Sequence, residues 1–193
     1  MASAQEAIVM NDAEKAVVEK MVEVAKSIGT TEKDTAVDAK NMKQTSAVVA
    51  MTNSTFASIN FSKFHNWFGQ ISGSYPKVIT KGSHATFTHK ADAKNGSKSA
   101  IVYLGTNKEG IPCGWLMAWC APIDPSPTKR NKVYVTCGKA ADFNNVNWNQ
   151  VQTKLDASTD LVNYYDPTTK TAIHANIQPG SNFASVGASF GAV

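Results

Sequence analysis

No apolar run in the chain approaches the roughly 18 to 20 residues that a bilayer-spanning helix needs, so the sequence predicts no transmembrane segment. The opening MASAQEAIVMNDAEK lacks the basic start and apolar stretch of a secretory signal. Cysteine is scarce and odd in number, three in 193 residues, which excludes a disulfide framework and fits a reducing compartment. A cytoplasmic location is therefore expected. Without a leader, Asn53-Ser54-Thr55 and Asn95-Gly96-Ser97 read as turn sequences rather than glycosylation acceptors.

Positive charge is also thin. The net +4 divides unevenly: residues 1–45 carry six Lys against eight acids, a balance of −2, and residues 46–193 carry thirteen Lys or Arg against seven acids, a balance of +6. That body attracts anionic surfaces weakly and lacks the dense Lys/Arg clusters of a nucleic-acid binder, so no nucleic-acid partner is expected. Catalytic and metal signatures are missing too. G-x-S-x-G, G-x-x-x-x-G-K-[ST], G-x-G-x-x-G, H-E-x-x-H, H-x-H and C-x-x-C do not occur. The expectation is a protein that is not an enzyme, with no cofactor, no metal and no catalytic residue.

What is present is patterned. Asn11 and Glu14 have the spacing of a capping box, and Val17, Met21, Val24 and Ile28 recur at helical intervals behind it. Gly29 is placed as the helix C-cap. Residues 30–45 are polar and read as a linker or a loosely attached second helix. The body then turns to short Val-, Thr- and aromatic-rich runs punctuated by Gly, Pro, Asn and Ser. They fall at 45–53, 54–61, 76–80, 84–90, 99–105, 113–120 and 132–138, and the pattern is that of antiparallel strands. Asn147 and Gln150, with Val146 and Val151 as a hydrophobic staple, start a second helix over 147–157 with Trp148, Val151 and Leu155 on one face. Residues 160–166, 170–177 and 182–193 read as closing strands.

Residues 110–125, GIPCGWLMAWCAPIDP, hold two tryptophans and two cysteines. In a strand, Cys113, Trp115, Met117 and Trp119 share one face, and Leu116, Ala118 and Cys120 the other. Both faces are apolar, which marks a central strand covered on both sides. All three cysteines read as core thiols, although Cys120 and Cys137 are expected at neighbouring strand ends, close enough to approach. His84 and His89, five apart in one strand, face opposite ways.

The segments WFGQISGSYPKVITKGSHATFTHKA, GSKSAIVYLG, CGWLMAWCAPID and NKVYVTCG resemble the plant jasmonate-induced proteins over roughly residues 45–160. That resemblance implies induction in stress or defence. A weaker similarity is to the actinoporins, cytolysins with an N-terminal helix on a β-sandwich. Cys120-Ala121-Pro122-Ile123-Asp124 stands at the place of that family's headgroup-binding segment, with Pro122 matching.

The combined expectation is an antiparallel β-sandwich over 46–193, with an N-terminal amphipathic helix and polar linker over 1–45 and one further helix packed on the sheet. Its function is read as non-catalytic binding in plant stress or defence, through loops at one end of the sandwich, the ligand a glycan or a lipid headgroup. The alternatives are an actinoporin-like membrane-lesioning protein and an enzyme assembled from distant residues. The candidate ligand-binding residues are Pro122, Asp124, Lys129 and Arg130 of the loop 122–131, together with Tyr75.

Overall fold

Branched and aromatic side chains alternate through most of the body, and in the computed structural model, which describes residues 10–31, 43–180 and 182–192, they build two facing sheets. In chain order the elements are α1 (Asp12–Thr31), β1 (Ser46–Ser54), β2 (Ile59–Phe68), β3 (Gln70–Ser72), β4 (Val78–Ile79), β5 (His84–Lys90), β6 (Ser97–Thr106), β7 (Pro112–Ala121), β8 (Lys132–Lys139), α2 (Trp148–Asp156), β9 (Leu161–Asp166), β10 (Thr171–Pro179) and β11 (Ala184–Ala192). One sheet is ordered β3-β5-β1-β11-β10-β9 and the other β4-β2-β6-β7-β8. Pairing is antiparallel except where β1 runs parallel to β11, with Val49 opposite Val186. The last strand thus inserts between the first and β10, which ties both ends of the body into one sheet.

Trp115, Met117 and Trp119 of β7 fill the space between the sheets, against Met51, Ile173, Val186 and Phe190. Their neighbours Leu116 and Ala118 face out beneath Val151 and Leu155 of α2. On the other flank Met21 and Ala25 of α1 cover Val48, Ala50 and Phe183. The result is four layers, helix–sheet–sheet–helix, so β7 is a strand buried on both faces. The indole of Trp115 crosses between the sheets and donates to the Gly191 carbonyl at 3.1 Å.

Both helix starts match their sequence signals. The Asn11 amide donates to Glu14 Oε2 and the Glu14 amide to Asn11 Oδ1, each at 2.9 Å. The Gln150 amide donates to Asn147 Oδ1 at 3.1 Å. Several expectations are corrected. Gly29 lies inside α1, where a Cβ would come within 2.3 Å of the Phe183 ring, so it permits close contact rather than ending the helix. Residues 55–58 are a turn, not a strand, because Asn53 captures the local backbone. The strand that follows runs much further than expected, to Phe68, its polar residues interleaved with partly covered rings. The run at 76–80 shrinks to Val78–Ile79. Cys120 and Cys137 are not neighbours: Cys120 pairs with Lys132 and Cys137 with Trp115, five positions apart along β8. All three cysteines are free thiols. Most of the stretch expected as a linker or second helix, residues 32–42, lies outside the described residues.

Candidate functional site

Strand direction decides which loops meet. β7 and β10 end, and β8 and β9 begin, at one end of the sandwich, so the β7–β8 loop, the α2–β9 connection and the end of β10 converge there. They enclose a cleft of about 550 Å³ lined by Ser126, Arg130, Lys132, Ser158, Thr159 and Asp160, with Pro125, Asn131, Ile177 and Pro179 completing it.

The loop wall is built from the bottom up. Gln44 and Asn131, both buried, pair through their amides, Nε2 to Oδ1 at 2.9 Å and Nδ2 to Oε1 at 3.0 Å. The same Gln44 Nε2 donates to the Pro122 carbonyl at 2.8 Å, and the Gln44 amide to the Ile123 carbonyl at 2.7 Å. Above this base Ser126 and Lys129 exchange backbone hydrogen bonds at 3.0 Å in both directions, and Arg130 Nε donates to the Pro127 carbonyl at 2.9 Å. Three prolines (Pro122, Pro125 and Pro127) restrict φ and lower the entropy lost on ordering. The opposite wall is equally tied. The Val133 amide donates to the Thr159 carbonyl and the Ile177 amide to the Asp160 carbonyl, each at 2.8 Å, and the Ser158 hydroxyl donates to the Val133 carbonyl. Lys132 Nζ donates to the Asp156 carbonyl at the end of α2. The half-exposed Asp156 carboxylate takes the buried Lys98 ammonium at 2.6 Å.

The cleft therefore presents one guanidinium, one ammonium, one carboxylate and three hydroxyls on a fixed frame. Arg130 is the chain's one arginine. Such a set can hold a phosphate, a sugar or a zwitterion by charge-assisted hydrogen bonds. It offers no activated nucleophile. Burial raises all three thiols, Cys137 up to about 12, the reverse of what a reactive thiolate needs.

Of the sequence-predicted residues, Arg130 lines the cleft. Asp124 and Lys129 are exposed on the same loop, and Pro122 is half-buried at its base. Tyr75 is not brought to this loop. It is 6% exposed in the inter-sheet core, stacked on Phe61 with ring centroids 5.1 Å apart and edge-on to Phe87 at 5.0 Å. Lys132, Ser158, Thr159, Asp160 and Ile177 were missed. They belong to three separate elements, and the one sequence cue was the lone arginine beside a proline-rich loop.

Comparisons with known proteins agree with this architecture. The family model described as Nakanori-like protein matches residues 2–185. The jasmonate-induced protein homolog of Atriplex canescens is 44% identical over 192 residues, covering 99% of this chain and 98% of that protein. The 23 kDa jasmonate-induced protein of Hordeum vulgare is 35% identical over 74 residues, covering 36% of this chain and 35% of that protein. Among solved structures, the lipid-binding protein Nakanori aligns with a TM-score of 0.67 at 16% identity, over 96% of this chain and 90% of that one. At that identity the likeness concerns the fold.

Proposed function

Because the chain belongs to the Nakanori-like protein family, we propose that it is a non-catalytic binding protein of the plant stress response that holds a polar ligand in the cleft at the β7–β8 loop. The reading rests on one observation: Arg130 and Lys132 line the same rigid cleft as Asp160 and the hydroxyls of Ser126, Ser158 and Thr159. Opposite charges in one small site suit a ligand that itself carries both, and a phospholipid headgroup such as phosphoethanolamine does. Its phosphate would lie at Arg130 and Lys132, and its ammonium at Asp160. The description of the structural neighbour as lipid-binding agrees with this choice, and the names of the jasmonate-induced relatives support the stress context. A glycan is the second reading, favoured by the hydroxyls of Ser126, Ser158 and Thr159 in the lining.

The test is an amide chemical-shift titration with soluble phosphoethanolamine and, separately, with oligosaccharides. Shifts should concentrate at residues 125–132 and 158–160. Arg130→Ala should weaken headgroup binding about 10- to 100-fold, the loss of a charge-assisted contact. Binding of either ligand with shifts elsewhere, or unaltered by Arg130→Ala, overturns the assignment of the cleft.

A further inference from the structure

At the opposite end of the sandwich Phe56 projects from the β1–β2 turn, 39% exposed. The exposure is imposed by a rigid frame. The buried Asn53 donates through Nδ2 to the carbonyls of Ala57 and Ile79, each at 2.8 Å, and its Oδ1 accepts from the Thr55 amide at 2.9 Å and hydroxyl at 2.7 Å. Two other turns bring cations to the same ring. Lys81, between β4 and β5, and Lys108, between β6 and β7, each place Nζ 5.7 Å from the ring centroid. Neither forms an ion pair with another described residue. Ile111, 37% exposed, closes the β6–β7 turn that carries Lys108. The turn glycines Gly82 and Gly110 have open space beside them.

A ring held in water between two ammoniums that no described carboxylate pairs is poorly matched to solvent and well matched to a charged lipid interface. There the ring enters the headgroup boundary while the lysines extend their stems along it and meet anionic groups. We propose that this tip, Phe56 with Lys81, Lys108 and Ile111, docks the protein on bilayers that carry anionic lipid. Charge complementarity selects the partner: neither lysine is ion-paired with a described residue, and Glu109, whose carboxyl pKa is lowered first by Lys170 and then by the Lys108 charge, is already paired with Lys170 at 2.6 Å. The tip points away from the Arg130 cleft, so a docked molecule keeps that cleft free for a second ligand. The inference stands independently of the cleft's ligand.

Vesicle co-sedimentation tests it, comparing phosphatidylcholine vesicles with vesicles that also contain phosphatidylserine. The full chain should pellet with the anionic vesicles alone, and added salt should release it. Lys81→Ala and Lys108→Ala should each weaken partitioning about fivefold, the Lys81→Glu/Lys108→Glu pair more, and Phe56→Ser should weaken it with both lysines retained. Lys81, Lys108 and Phe56 are all exposed, and an amide spectrum unchanged outside the tip would certify the folding of each variant. Equal binding to neutral vesicles, no binding by the full chain, or undiminished binding by the charge-reversed pair overturns the proposal. Loss of pelleting on Arg130→Ala, with the tip variants unaffected, would instead transfer membrane contact to the cleft.

Discussion

His89 is a polar residue set fully inside the core. Its Nδ1 lies 2.9 Å from Ser97 Oγ and its Nε2 3.2 Å from Asn66 Oδ1, and Ser97 Oγ also accepts the Trp119 indole N–H at 2.9 Å. The pattern fits a neutral ring that donates from Nε2 and accepts at Nδ1. Burial pulls its pKa down to about 4. An unfolded histidine takes its proton near 6.5. Between those values the unfolded chain binds more protons, so stability is complete above about pH 6.5 and declines as pH falls toward 4, by about 3 kcal/mol from this residue. NMR of the ring protons should show His89 untitrated down to about pH 4; a midpoint near 6.5 would mean that the core is open to water at that point. The sequence placed His89 and His84 on opposite faces, which alternation alone decides. It put Tyr75 with the ligand residues because a tyrosine in a Gly/Ser-rich loop has no periodicity to declare it buried.

Among the elements, β7 was the most legible, because uninterrupted apolar character on both faces has few other meanings. The β2 strand was less so. Its mixed polar and aromatic residues lie near the edge of a sheet, where β4 covers only Ile59 and Asn60, and a half-covered strand has no clean alternation. Where α1 docks was invisible. Its apolar stripe predicted a buried face, but only the structure shows that β11 admits it through Gly187, where a Cβ would fall 2.6 Å from the Val18 carbonyl oxygen and the Val22 nitrogen. Gly187→Ala should therefore lift the helix from the sheet and cost about 1 to 3 kcal/mol in urea unfolding. An unaltered midpoint would show that α1 contributes little to the body's stability. His174 beneath the same helix lies 3.6 Å from Glu14, and burial lowers its pKa against the pull of that carboxylate.

For the whole molecule, one alternative reading is membrane lesioning. The 20 residues of α1 would extend about 30 Å, near the hydrocarbon thickness. Length is not the obstacle. Asp12, Glu14, Lys15, Glu19, Lys20, Glu23 and Lys26 lie along it, and a charge at the bilayer centre costs at least about 2.5 kcal/mol. Its apolar stripe is already committed to Val48, Ala50 and Phe183. The full chain should accordingly leave dye-loaded vesicles intact, even at concentrations where it binds them; release that disappears on deletion of residues 1–30 would make the helix a membrane-inserting device.

Local rules were enough to determine that this chain forms two-faced strands, a capped leading helix and a short second helix, since capping, alternation and turn chemistry act over a few residues. They also singled out the loop around Arg130. Tertiary structure alone decided that β11 returns to lie parallel to β1, that Ser158, Thr159 and Asp160 face Arg130 across a cleft, and that Lys81 and Lys108 flank Phe56. Each of these depends on which strand ends meet, and that is set by long-range sheet pairing and the shared core, which no short window of sequence contains.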